Sequence, residues 1–148
     1  ENKETEGSPE AKSAMRQRQH AMGKRNMRKA VSEAHVILTN PTHFAVALRY
    51  DRASDQIPVV VAKGRGVLAL AIRELAGEAR VPVLEYPGIA RALYYTSREG
   101  QEIRDDLYGA IATILAFVFN LNVQAGGTAP EVLVPATARF DENGVVAG

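Results

Sequence analysis

The sequence contains no cysteine and no tryptophan among its 148 residues. The lack of cysteine excludes disulfide bonds, thiolate zinc sites and cysteine nucleophile chemistry. Three histidines, His20, His35 and His43, do not have the spacing of chelating ligands, so we expect no metal site, and no motif calls for a cofactor. A serine hydrolase is equally unsupported, because no serine lies on a strand-to-helix elbow.

Long apolar runs are also missing. The longest, from Leu107 to Leu121, is interrupted by polar residues and a glycine, and it predicts a buried core helix rather than a membrane span. The chain begins at Glu1 with no charged start followed by an apolar stretch, so we expect no secretion signal and a piece of a longer protein. With 46% hydrophobic residues, the chain is large enough for one domain with a core.

The net charge of +1 conceals a local basic segment. Residues 11–30 carry seven Lys or Arg and no acidic residue, whereas residues 1–10 carry four Glu and one Lys. Ser8-Pro9-Glu10 has the pattern of a helix start, which predicts a basic helix that projects from the domain. Such a helix fits a solvated surface or contact with anionic lipid. Without interleaved aromatic residues it does not favour nucleic-acid binding.

The middle of the chain alternates strand and helix patterns. The strand-like runs are His35–Thr39, Phe44–Tyr50, Pro58–Ala62 and Val81–Leu84, and the helical patterns cover Val67–Ala79, Ile89–Tyr95 and about Leu107–Val118. The strand-helix-strand order around Val67–Ala79 predicts a parallel crossover. We predict an α/β domain at residues 34–122 with a roughly four-stranded sheet flanked by helices. A basic linker helix (1–33) precedes it and a weakly ordered tail (123–148) follows.

Asn40 and Pro41 form an asparagine-proline pair on the tight link between the first two predicted strands. Ordinary succinimide formation at asparagine uses the backbone nitrogen of the next residue, which in proline carries no proton. The remaining route is attack by the side-chain amide of Asn40 on its own backbone carbonyl, which expels the Pro41 nitrogen and breaks the chain. This reaction needs a fixed geometry, proton transfer and donors for the developing oxyanion.

Thr42 and His43 are the candidate supporting residues. The imidazole of His43 is suited to moving a proton near neutral pH, and the hydroxyl of Thr42 can orient the turn or donate a hydrogen bond. Residues in sparsely populated backbone conformations would add strain of about 1 to 3 kcal/mol each. Taken alone, the dipeptide also fits an ordinary hairpin turn, with His43 as a partly buried strand residue.

Three stretches of the sequence together resemble a known family. They are Asn40–Tyr50, Pro58–Gly64 and Ala90–Tyr94. They resemble the cytoplasmic domain of the flagellar FlhB and injectisome YscU export-switch proteins, in which the Asn-Pro-Thr-His turn cleaves itself. The resemblance covers about Pro9 to Leu121. Glu85-Tyr86-Pro87-Gly88 and His35 depart from the family pattern, which affects surface recognition rather than the cleavage motif.

The resemblance implies single-turnover cleavage between Asn40 and Pro41, supported by Thr42 and His43, rather than a turnover enzyme. It implies a role in switching export from early rod, hook or needle proteins to late filament proteins, on the cytoplasmic side of the bacterial inner membrane. The implied partners are other export-gate components, export substrates and a hook- or needle-length control protein. The sequence leaves open whether the system is a flagellum or an injectisome. Because the flanking strands pair, we expect fragments 1–40 and 41–148 to stay associated.

A nucleotide-binding module is the alternative. Gly64-Arg65-Gly66 lies between a predicted strand and a predicted helix and loosely fits the dinucleotide fingerprint, with Glu85 at the end of the next strand. However, the chain offers a single crossover unit and no second half to build a crevice. Short Gly-x-Gly links also arise simply because a strand must turn into a helix.

Overall fold

The computed structural model of the chain describes residues 26–41, 43–120 and 127–146. In chain order the elements are α1 (26–33), β1 (Val36–Asn40), β2 (Phe44–Arg49), β3 (Val59–Arg65), α2 (Val67–Ala79), β4 (Val83–Glu85), α3 (Pro87–Thr96), β5 (Gln101–Glu102), a 3-10 turn (Asp105–Leu107), α4 (Tyr108–Phe119) and a second 3-10 turn (Ala136–Ala138). Within these ranges, none of the helices combines the length and the apolar character needed to cross a bilayer.

The five strands form one mixed sheet in the order β4-β1-β2-β3-β5. Strands β1, β2 and β3 pair antiparallel in succession, β4 runs parallel to β1, and β5 is antiparallel to β3. The α/β class is therefore confirmed, with five strands instead of roughly four. The fifth strand, β5, has two exposed polar residues, so it gives no hydrophobic pattern in the sequence. Strands β3 and β4 run in the same direction, as the predicted crossover requires, but two strands lie between them.

Helices cover both faces of the sheet, so the central strands are buried on both sides. Residues Val36, Leu38, Val46 and Leu48 pack into a core with α3 and α4. Their neighbours Ile37, Ala45 and Ala47 pack into a second core with α1 and α2. This explains why β1 and β2 read as continuous apolar runs rather than alternating ones. The predicted bounds of α2 agree with the structure.

The described end of the basic helix packs on the domain rather than projecting from it. Val31 is fully buried in the second core, where Met27 and Ala30 also pack. Arg28 forms an exposed ion pair with Glu78 of α2. The expectation that residues 9–25 project lies outside the described residues.

The C-terminal segment corrects the expectation of weak order for residues 127–146. It contains a short 3-10 turn and a single antiparallel bridge between Phe140 and Val146. Ala138 is fully buried, and Val132, Val134 and Phe140 pack against the core formed with α3 and α4. A segment without regular secondary structure has no helical or strand periodicity in its sequence, so its composition alone suggested a weakly ordered tail. The division of the chain at residues 33/34 and 122/123 stays a prediction.

Candidate functional site: the Asn40–His43 turn

The predicted cleavage motif lies in the turn of the β1–β2 hairpin. Strand β1 ends at Asn40, β2 begins at Phe44, and these two residues are paired in the sheet. The backbone N–H of His43 donates to the carbonyl oxygen of Asn40 at 2.8 Å, which closes the turn. The structure therefore brings Asn40, Pro41 and His43 together in a strand-turn-strand setting, whereas Thr42 lies outside the described residues.

The side chain of Asn40 is held in an unusual environment for an amide. The residue is only 9% exposed, and its Nδ2 is buried without a hydrogen-bond partner among the described residues. Leaving a buried polar group unpaired costs about 1 to 3 kcal/mol. This nitrogen is the atom that would attack the backbone carbonyl, and the attack would not have to break an existing hydrogen bond.

The carbonyl of the Asn40–Pro41 bond already accepts a hydrogen bond from His43 N–H. A donor at this oxygen stabilises the negative charge that develops there when a nucleophile adds to the carbon. The sequence predicted the need for such a donor and offered the hydroxyl of Thr42, which lies outside the described residues. The group in place is a backbone N–H, which no side-chain motif reveals.

Arg73 holds the residue that follows Asn40. Its Nη1 donates to the carbonyl oxygen of Pro41 at 2.6 Å from the exposed surface of α2. The turn is tied to the same region a second time, because Gly66 N–H donates to the carbonyl oxygen of His43 at 2.9 Å. Sequence reasoning missed Arg73, since an isolated arginine on a helix surface has the pattern of an ordinary solvated charge.

The imidazole of His43 is about half exposed, which differs from the alternative of a partly buried strand residue in an ordinary hairpin. Its Nδ1 lies 3.4 Å from Oε2 of Glu142, a residue of the C-terminal segment. The next residue, Phe44, is fully buried and packs against the rings of Tyr94 and Tyr95 at 4.9 and 5.7 Å between centroids. The start of β2 is therefore anchored in the core while His43 remains accessible.

Left-handed backbone strain is not found at the described residues of the turn. Among all described residues other than glycine, Arg80 alone has a positive φ. Asn40, Pro41 and His43 therefore carry no strain of this left-handed kind. The buried amide without a hydrogen-bond partner among the described residues distinguishes this turn from an ordinary one, since the bond from His43 N–H to the Asn40 carbonyl is the usual closing bond of a β-turn.

Several ionisable groups outside the turn have shifted pKa values. Burial lowers the pKa of Lys63, whose ammonium donates to the carbonyl of Tyr94 at 2.7 Å. Backbone N–H donors, first that of Val145, lower the pKa of Asp141. A hydrogen bond from Arg104 lowers the pKa of Asp106 to about 2.

The Gly64-Arg65-Gly66 segment is used for packing and not as a phosphate loop. Gly64 and Arg65 belong to β3, and a Cβ at Gly64 would lie 2.7 Å from that of Leu68 on α2. Gly66 has a φ of +62°, and its N–H is already engaged by His43. The glycines therefore serve a close strand-helix approach and a sharp turn. No cluster of three or more potential metal ligands occurs within the described ranges.

Comparison with known proteins shows relatives over most of the chain. Residues 1–118 match the FlhB HrpN YscU SpaS Family. The flagellar biosynthetic protein FlhB of Salmonella typhimurium is 50% identical over 132 residues, covering 88% of this chain and 34% of the relative. FlhB of Bacillus subtilis is 44% identical over 119 residues, covering 80% and 33%. The chain thus spans about a third of the length of these relatives.

Solved structures of related domains have a similar fold. The cytoplasmic domain of FlhB from Shewanella putrefaciens has a TM-score of 0.70 and 36% sequence identity, covering 79% of this chain and 95% of that one. An asparagine-to-alanine variant of the EscU C-terminal domain has a TM-score of 0.61 and 30% identity, covering 62% and 92%. The resemblance stated from the motifs is confirmed, and the chain belongs to the FlhB/HrpN/YscU/SpaS family of bacterial export-apparatus proteins.

Proposed function

We propose that this chain cuts itself once, between Asn40 and Pro41, by cyclisation of the asparagine. The observation that carries the proposal is the buried Nδ2 of Asn40, which has no hydrogen-bond partner in the described part of the chain and belongs to a residue whose carbonyl oxygen accepts the N–H of His43. A nucleophile and an oxyanion donor on one tight turn are two of the requirements for the reaction. The third is proton transfer, which we assign to His43, with Thr42 orienting the turn.

In the proposed step, Nδ2 of Asn40 forms a bond to the backbone carbonyl carbon of the same residue. The bond from that carbon to the Pro41 nitrogen breaks, and the electron pair leaves with the nitrogen. Nδ2 loses a proton and the proline nitrogen gains one, so that no net charge is created in the exchange. The products are a succinimide at the end of residues 1–40 and a free secondary amine at Pro41. Water then opens the ring.

We propose that the two fragments remain associated. Strand β1 lies between β4 and β2 in the sheet, and both neighbours belong to the fragment 41–148. The fragment 1–40 also buries Val31 against the second core. The cut would therefore free only the turn and create two new ends, while the hydrogen-bonded strands and the core stay in place.

We propose further that the chain is one part of a longer export protein on the cytoplasmic side of the bacterial inner membrane. Its role would be to help switch export from early rod and hook proteins to late filament proteins. Its partners would be other export-gate components, export substrates and a length-control protein, with anionic lipid near the basic segment. Family membership and the flagellar biosynthetic relatives support this role. Variants of EscU with an asparagine or the following proline replaced are also among the solved relatives, so that relative carries an Asn-Pro pair too.

The test compares the wild-type chain with Asn40→Ala under denaturing and native conditions. Denaturing electrophoresis should resolve two pieces for the wild type and one for Asn40→Ala, because alanine has no amide nucleophile. In gel filtration both proteins should elute as one folded species. Two pieces from Asn40→Ala, or separation of the wild-type fragments under native conditions, would contradict the proposal.

A further inference from the structure

We propose that the C-terminal segment 127–146 completes the cleavage site, with Glu142 as a positioning residue for His43. This inference rests on the proposed self-cleavage. It starts from a juxtaposition that the sequence does not suggest. Oε2 of Glu142 lies 3.4 Å from Nδ1 of His43, although the two residues are almost the whole domain apart in the chain.

The segment is attached along α3 and its flanks, so the contact is not an isolated one. The hydroxyl of Tyr86 donates to the carbonyl of Pro130, and Arg91 Nε donates to the carbonyl of Phe140 at 2.7 Å. The hydroxyl of Thr137 donates to Asp106 at 2.7 Å. These bonds lead the chain across the domain to the cleavage turn.

A closed loop then presents Glu142. Oδ1 of Asp141 accepts the N–H groups of Asn143 and Val145 at 2.8 and 2.9 Å, and Asp141 N–H donates to the carbonyl of Val145. The hydroxyl of Tyr95 donates to the carbonyl of Glu142 at 2.5 Å. The backbone that carries the carboxylate is therefore fixed both within the loop and against α3.

Tyr95 links this loop to the start of β2. Its ring stacks on Phe140 at 5.9 Å and meets that of Phe44 at 5.7 Å between centroids. Its hydroxyl also accepts a hydrogen bond from Arg65 at 3.1 Å. One side chain of α3 thus contacts both the segment that carries Glu142 and the residue that follows His43.

A carboxylate beside Nδ1 favours the tautomer with its proton on that nitrogen, which leaves Nε2 able to accept or deliver a proton. Other charged or titratable groups near the turn are Arg73 at the Pro41 carbonyl, and Arg65 and Tyr95 beside the ring of Phe44. The carboxylate of Glu142 lies beside the Nδ1 edge of the His43 ring. Both side chains are about half exposed, at 48% and 53%, so the coupling is modest.

The test measures the first-order cleavage rate of the full chain across pH for wild type, Glu142→Gln and the exposed control Glu131→Gln. We expect Glu142→Gln to slow cleavage about two- to fivefold near neutral pH and to change the shape of the pH profile. Glu131→Gln should match the wild type. The glutamine keeps the backbone contact with Tyr95, so the melting temperature should not move.

A second readout does not depend on cleavage. In the uncleavable Asn40→Ala background, nitrogen chemical shifts of the His43 ring should report a proton on Nδ1, and Glu142→Gln should shift the ring towards a mixture of tautomers. Identical pH profiles and identical ring shifts with and without Glu142 would overturn this inference while leaving self-cleavage intact. A wild-type chain that never cuts would instead refute the proposed function itself.

Discussion

Replacement of Arg73 by alanine removes the side chain that holds the carbonyl of Pro41. The guanidinium donates one hydrogen bond to that oxygen at 2.6 Å, from a helix that is packed firmly on β3 at Gly64. A hydrogen bond from a charged group contributes about 1.5 to 3 kcal/mol when sheltered, and less on an exposed surface. Taking about 1 kcal/mol for its effect on the geometry of the turn predicts cleavage slowed about fivefold.

The assay follows the appearance of fragment 41–148 by denaturing electrophoresis after refolding. Alanine is a better helix former than arginine, so the melting temperature of Arg73→Ala should stay the same or rise slightly. A slower cut without lost stability is therefore the signature of positioning. Arg73→Lys should restore part of the rate, and the exposed neighbour Glu74→Gln serves as the control. A rate for Arg73→Ala equal to that of the wild type would refute the reasoning.

Three further outcomes are expected. Gly64→Ala should lower the free energy of unfolding by about 1 to 3 kcal/mol in denaturant titration, since its Cβ would clash with Leu68, whereas Gly77→Ala, with nothing within 4 Å, should raise it by about 0.5 to 1 kcal/mol. Asp106 has a folded pKa of about 2, below its unfolded value, so its stabilisation is present above about pH 4 and lost as the pH falls towards 2; Asp106→Asn should flatten that part of the acid-unfolding curve. Pro41→Ala restores a backbone N–H, so mass spectrometry should find slower cleavage together with deamidation of Asn40.

Each of these outcomes has a clear opposite. Equal stabilities of the Gly64 and Gly77 variants would mean that the close approach of α2 to β3 leaves room for a Cβ at Gly64. If the acid-unfolding curve of Asp106→Asn matched that of the wild type at low pH, the contact with Arg104 would not stabilise the fold as inferred. Full-speed cleavage without any deamidation in Pro41→Ala would show that the missing proton on the proline nitrogen does not direct the chemistry.

The sequence predicted the central strands and α2 well because their signals are local. The continuous apolar runs of β1 and β2 correspond to strands buried on both faces, and the three-and-four spacing in Val67–Ala79 corresponds to a helix packed on one side. Strand β5 was missed because two polar residues at a sheet edge carry no pattern.

The chemistry of the site was only partly readable for a related reason. The Asn40–Pro41 pair can be recognised in the sequence because its two residues are neighbours in the chain. The contact of Arg73 with the Pro41 carbonyl and the carboxylate of Glu142 depend on how distant segments pack, whereas the backbone donor of His43 is a local turn bond that no side-chain motif reveals. The tail that carries Glu142 was expected to be weakly ordered, since its contacts are irregular and follow no helical or strand period.

The central claim is that the side-chain nitrogen of Asn40 severs the bond to Pro41, and intact mass spectrometry of freshly purified chain under denaturing conditions tests it most directly. The account predicts two pieces, 1–40 and 41–148, with the shorter one first detected one water lighter than its hydrolysed form and gaining that water later. Folded protein that persists near neutral pH as one unbroken polypeptide would contradict the account.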